Sequence, residues 1–363
     1  MTLRITSAPV AGIKKNKKHT SRPSPFSRHA RTKPSAQPSR GVKDEPDDGP
    51  LPDVGLSRYV CDTAPVGDVI QALHYVRRNM FEDIPARAGM NSTRIAEVLN
   101  LRRSLPPLVS VAHVHTLLDA PTKAEKEVFE LVNTGRVRRL LVPGRGTDAA
   151  GLGDCLVLRE DWEALVRGSK HLESSLKGKF LRVLGDIGNS SAVPPGVFSP
   201  DEYMALVRAG FLVSSSSLAK GSLNVASLPR LPPSPASRGD APGDPHSKFH
   251  TATLFLSLPN IGPYLRLLSA GRSHLLSLLK RSKSRETPLY LLRDRWDGAV
   301  EDDRSFNAAK RVRGEFAGIL PGKTKKWKDL NGMSFRWAME EALGAGLIEI
   351  FDTGSVGPGV RCL

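Results

Sequence analysis

A chain of 363 residues with 39% hydrophobic content can build two or three packed domains, which excludes a wholly disordered polymer. Lys and Arg total 53 against 37 Asp and Glu, a formal +16 that biases the chain toward polyanions, nucleic acid before acidic membrane. Cys61, Cys155 and Cys362 stand alone without a C-x-x-C pair, excluding a disulfide framework or zinc knuckle, and the longest uncharged apolar stretch is broken by Pro259 and Asn260 short of the ~20 residues of a membrane helix.

In chain order, residues 1–43 hold eleven Lys or Arg and no acid, interleaved with Pro and Ser, a composition that cannot bury enough apolar surface to order itself. The expectation is a disordered basic arm over residues 1–55, closed by an acidic, Pro-rich patch at 44–53. Its densest cluster, Lys14, Lys15, Lys17 and Lys18, suits nuclear import, whereas Pro9, Pro23 and Pro25 would break the amphipathic helix of a transit peptide. The arm holds +6, so +10 belongs to the remainder.

Helical patterns follow at 66–76, 92–101 and 108–118. Thr122 and Glu125 then read as a capping box ahead of Val128, Phe129, Leu131 and Val132; Gly135 ends that helix, and Val137, Leu140 and Leu141 begin a strand. The device recurs. After a helical pattern at 176–184, Ser199, Pro200 and Glu202 cap a helix carrying Tyr203, Met204, Leu206 and Val207, and Gly210 precedes Phe211, Leu212 and Val213. Residues 217–248 contain six prolines among serines and glycines, which no helix or sheet can cross. A third occurrence, upstream of which 288–292 is helical, runs from Asn331 through Phe335, Trp337, Ala338 and Leu343 to Gly346, then Leu347, Ile348, Ile350 and Phe351.

Apolar segments at 155–158, 251–258 and 360–363 can return antiparallel to these three strands. Helix, glycine, strand, loop, strand is how a winged helix ends, although a helix stopping at glycine before a strand also occurs throughout α/β proteins. No segment predicts a parallel-sheet core, so three tandem winged helices are preferred: a mainly α fold with small β-hairpins (α+β), divided at 56–168, 169–285 and 286–363.

From Leu105 onward the sequence also resembles the serine/threonine-protein kinase 19 family, its fungal members above all. The resemblance is carried by Leu105 to Val109, the 122–141 helix and strand, Phe198 to Tyr203, and Leu206 to Leu212. Its most specific part runs from Leu256-Ser-Leu-Pro-Asn-Ile-Gly262 through Tyr264, Gly271, Arg272, His274 and 280–286 to Leu291 and Arg295-Trp-Asp-Gly298, and the resemblance as a whole ends in 334–351. It implies three winged-helix modules and a nuclear DNA-binding protein in transcription-coupled repair of damaged DNA, despite the kinase name. The 217–248 insert and the basic arm depart from the family's pattern.

The residues themselves offer no reaction. A kinase needs a strand Lys, an HRD-like loop and a DFG-like metal ligand, and none is present. Gly144, Gly146 and Gly151 fall where a wing tip is expected. Residues 317–324 satisfy a loose Walker A expression, but their basic flanks supply neither the buried strand nor the apolar helix of a P-loop. His113 and His115 have no Cys or carboxylate at ligand spacing and would face apart on a helix, so no metal is expected. No G-x-S-x-G or Cys–His pairing anchors nucleophilic catalysis. The expectation is no cofactor and no enzyme.

What remains is cationic. Arg266, Arg272, Lys280, Arg281, Lys283 and Arg285 are read as the charged face of a helix whose core face is Leu265, Leu268, Leu275, Leu276 and Leu279. Lys323, Lys325, Lys326 and Lys328 surround Trp327, with Arg336 beyond; Arg136, Arg138, Arg139 and Arg145 mark the first hairpin. These are candidate phosphate contacts on duplex DNA. The expected partners are duplex DNA and repair or transcription proteins, with no membrane. The rival readings are a winged-helix protein scaffold and the kinase of the family name.

Overall fold

Three glycines set the architecture, each turning a helix into a strand. In this computed structural model, which describes residues 49–57, 66–85, 89–118, 120–142, 152–214, 254–298, 320–354 and 356–363, Gly135, Gly210 and Gly346 adopt φ of 71°, 83° and 64°. At each, two backbone bonds reach back into the last turn: Gly135 to Val132 and Arg136 to Leu131, Gly210 to Val207 and Phe211 to Leu206, Gly346 to Leu343 and Leu347 to Ala342. The left-handed residue satisfies the orphan carbonyls of the helix end, as the sequence pattern anticipates. The basic arm over 1–43, Gly144 to Gly151 and the 217–248 insert lie outside the described residues.

The elements preceding Gly135 are β1 (Gly55–Leu56), α1 (Val69–Arg78), α2 (Ser92–Ser104), β2 (Val109–Ser110), α3 (Val111–Leu117) and α4 (Pro121–Asn133). Beyond it, β3 (Val137–Leu141) and β4 (Asp154–Leu158) pair antiparallel, with Leu140 opposite Cys155, and β2 adds to the far side of β4. The expected Thr122 cap is not made. Pro121 already occupies the first turn and Ala120 is the N-cap, without a side-chain bond; the fixed proline φ starts the helix two residues earlier.

The second group holds α5 (Arg159–Gly168), α6 (Ser174–Asp186), β5 (Ala192–Val193), α7 (Pro200–Arg208), β6 (Leu212–Ser214) and β7 (Leu254–Leu256). Ser199 and Glu202 form the full reciprocal capping box. The third holds α8 (Ile261–Leu279), β8 (Glu286–Pro288), α9 (Leu289–Asp297), the one-turn α10 (Lys325–Lys328), α11 (Phe335–Gly344), β9 (Ile348–Asp352) and β10 (Pro358–Cys362). Sheet orders are β2-β4-β3, β5-β7-β6 and β1-β9-β10-β8. In all three, the last strand of the group lies between the short early strand and the hairpin partner. Small antiparallel sheets among helices make the fold α+β.

A single hydrophobic cluster joins the groups: Val157 and Trp162, Phe180 and Phe211, Leu268 and Trp296, and Trp337 and Val360 all belong to it. Within it α3 packs directly against α11. A Cβ on Gly344 would stand 1.9 Å from the Ala112 carbonyl oxygen, so only glycine lets these backbones approach. The Trp337 indole N–H donates to the Val76 carbonyl at 2.9 Å and ties α11 to α1.

Candidate nucleic-acid interface

The structure divides the sequence-predicted cations into exposed and buried sets. Arg136, Arg266, Lys280, Arg281, Lys283, Arg285, Lys323, Lys325 and Lys328 are exposed; Arg272 and Lys326 are buried. Arg272 lies on the core side of α8, ion-paired with Glu341. Lys326 points inward to Glu82 at 2.5 Å and Asp297 at 2.6 Å. Arg272 corrects the expectation of a charged helix face and Lys326 that of a cluster presented around Trp327: each cation has folded beneath the surface with carboxylate partners that the local pattern does not reveal.

Three others are half-buried and engaged. Arg138 donates to the Leu184 carbonyl and lies over the Trp162 ring. Arg139 makes a bidentate contact with Asp154 at 2.8 and 2.6 Å, and Arg336 pairs with Glu340 at 3.0 Å. Arg145 is outside the described residues.

The one-turn α10 is amphipathic by necessity. Lys326 and Trp327 turn inward and leave Lys325 and Lys328 outside. Arg94 holds its C-terminal end by donating to the carbonyls of Trp327 at 2.9 Å and Lys328 at 2.5 Å. The Arg102 guanidinium covers the Trp327 ring at 5.6 Å and the Phe81 ring at 4.6 Å.

His274 lies where two cationic clusters converge. Its ring packs on Trp296 at 5.1 Å, and Trp296 donates to the Met333 carbonyl at 3.2 Å. Burial first, then the charges of Lys325 and Arg281, push the imidazole down to about 4. Arg281 follows two helical turns after His274, whereas Lys325 is 51 residues away in sequence. The imidazole is therefore neutral at physiological pH, flanked by cations that face solvent.

A second cluster is wholly interior. His113 Nε2 is 3.1 Å from Glu340 and Nδ1 is 3.4 Å from Glu341. Glu341 also takes the Ser110 hydroxyl, and the Glu340 carboxylate takes Tyr75 O–H at 3.3 Å. Burial alone would lower the His113 pKa, but bonds and charges from both glutamates raise it above its usual value. Burial opposes ionisation of Glu341, yet His113, Arg272 and Ser110 hold its pKa below the usual range. The network therefore carries charge in the core. Burial pushes the Cys155 thiol up, away from the nucleophilic thiolate. Among the described residues, no group of His, Cys, Asp and Glu has the arrangement of a metal site.

The profile of the family described as inactive serine-threonine protein kinase 19 matches residues 77–362. The chain belongs to this family. No curated protein matches it. The description of the kinase 19 family as inactive agrees with the lack of kinase motifs in the sequence. The Walker-like stretch agrees too: Pro321–Lys323 is a single 3-10 turn, Thr324 Oγ1 donates to the Pro321 carbonyl, and the helix that follows has four residues. A P-loop needs a longer helix whose first amides face phosphate. Residues 317–319 lie outside the description.

Proposed function

We propose that this inactive kinase 19 family member is a non-enzymatic nuclear protein with three tandem winged-helix modules, divided near residues 168 and 285, that holds duplex DNA through its phosphates. It serves as an adaptor in transcription-coupled repair or transcription. The repeated strand order, early–last–middle, behind a glycine-terminated helix supports the module assignment. The observation that carries DNA binding is the exposed cationic surface around His274, whose imidazole feels the charges of Arg281 and Lys325, from separate segments, against the one carboxylate of Asp329, with Lys280 and Lys328 near them in sequence. Lys14, Lys15, Lys17 and Lys18 supply the import signal.

The test is duplex affinity of the full chain across a salt series. Phosphate contact predicts a linear fall of log K with log salt, and replacing Arg281, Lys325 and Lys328 by Gln flattens that slope by roughly 0.9 for each lost contact. Loss should be alike on all sequences, because phosphate contacts carry no base readout. An unchanged slope removes this surface from the interface.

A second reading, protein docking, draws on the helices before the first two hairpins. α4 carries Glu125, Glu127 and Glu130 with Phe129 66% exposed, and α7 begins with Asp201 and Glu202. Net-acidic helices repel phosphate, so these two helices suit protein partners, while the surface at His274, drawn from residues on both sides of the division near 285, grips DNA.

A further inference from the structure

Where the first and second groups of elements meet, α4 and α6 end around a cleft of about 200 Å³. Its walls include Arg138, Arg159, Trp162, Glu163 and Leu181, with Gly135 and Gly185 leaving the backbone open. Two buried donors on its lining residues have no acceptor among the described residues: the indole N–H of Trp162, a side chain only 2% exposed, and Nη1 of Arg138. Buried donors are nearly always paired in folded proteins, so two at one cleft require explanation.

The charges point the same way. Burial first, then the Arg159 charge, depress the Arg138 pKa, placing two guanidiniums close enough to repel. Glu163 is the carboxylate on this wall, and it is shared between Arg159 at 2.7 Å and Arg167 at 2.6 Å. Arg138 and Arg159 against Glu163 leave the lining with one excess positive charge. Val132, Leu181 and Leu184 add an apolar side. The carbonyl ends of α4 and α6 carry partial negative charge, which opposes any anion and weighs more heavily against a dianionic phosphate than against a monoanion. We propose that this cleft is a binding site for a carboxylate on a short apolar stem, an acidic side chain of a protein partner. The two guanidiniums and the indole N–H are its donors, and the site is independent of the DNA surface at His274.

The probe is a capped Gly-Glu-Gly peptide, with capped Gly-Gln-Gly as its neutral control and inorganic phosphate and duplex DNA as competitors. The readout is the indole N–H resonance of Trp162 in the full chain, assigned by Trp162→Phe. The glutamate peptide is expected to shift it saturably, the glutamine peptide about tenfold more weakly or not at all. Arg159→Gln, at an exposed side chain, should weaken the response by about tenfold, and Arg159→Lys should restore part of it. Equal response to both peptides, no response, or an unaltered response in Arg159→Gln overturns the site. Displacement of the peptide by DNA or phosphate at lower concentration also overturns it, assigning the cleft to nucleic acid.

Discussion

Replacing Arg272 by Met isolates the charge at the centre of the interior network. The methionine keeps most of the apolar stem, so the change removes a guanidinium rather than opening a large void. Arg272 is 5% exposed and Glu341 1% exposed, and taking one partner from a pair this deep costs about 3–5 kcal/mol because the other charge stays buried. Glu341 retains the Ser110 hydroxyl and, while protonated, His113, which places the loss near the lower bound, about 3 kcal/mol, at mildly acidic pH. His113 has a folded pKa above its unfolded value, so its contribution is fully present below about pH 6.5 and is lost as pH rises through the folded pKa. Glu341, with a depressed pKa, contributes above about pH 4.3 and loses that contribution as pH falls. The cost of Arg272→Met therefore grows toward about 5 kcal/mol in alkali, where Glu341 has lost both cations. Urea unfolding of wild type and variant at mildly acidic and at alkaline pH measures it, with equal m-values as the control for an unchanged unfolded state. A loss under about 1 kcal/mol, or one that is the same at both pH values, would refute a buried, His-compensated charge pair.

Two glycines in one turn should respond differently to alanine. Gly344→Ala forces α3 from α11 and should cost about 3 kcal/mol or more, whereas Gly346→Ala meets nothing within 4 Å and should cost only the left-handed backbone penalty, about 1–2 kcal/mol. Thermal unfolding ranks them, and the reverse order would mean that the helices do not touch there. His274, lowered to about 4, binds its proton more readily in the unfolded chain, so stability should fall as pH drops from about 6.5 toward 4. His274→Gln should flatten that part of the pH profile, read by urea unfolding; an unchanged profile would show that His274 is solvated.

The parts of the fold legible in sequence were those written in short-range chemistry. Gly135, Gly210 and Gly346, the Ser199 box and the returning strands at 155–158, 251–258 and 360–363 all combine a local pattern with a local constraint. β1, β2 and β5 have two residues each, too few to show alternation, and they exist because a neighbouring strand offers an edge. α5 has no capping signal at its start, because β4 runs straight into it. The charged residues were harder. Helical spacing gives the direction of a side chain, not what covers it, so Arg272 and Lys326 looked like their exposed neighbours. The sequence offers His113 no carboxylate at ligand spacing, and its partners come from α11, Glu340 lying 227 residues on. The convergence of Lys325 and Arg281 at His274 is equally nonlocal.

That separation also bears on how the molecule is made. Ser110 meets Glu341 across 231 residues, and at roughly 5–20 residues per second a ribosome needs on the order of ten to fifty seconds to supply the second from the first. During that interval the emerging α3 has neither its glutamates nor the smooth backbone of Gly344 to lie against. Its apolar side, Val111, Val114 and Leu117, is a natural client surface for nascent-chain chaperones until α11 leaves the exit tunnel.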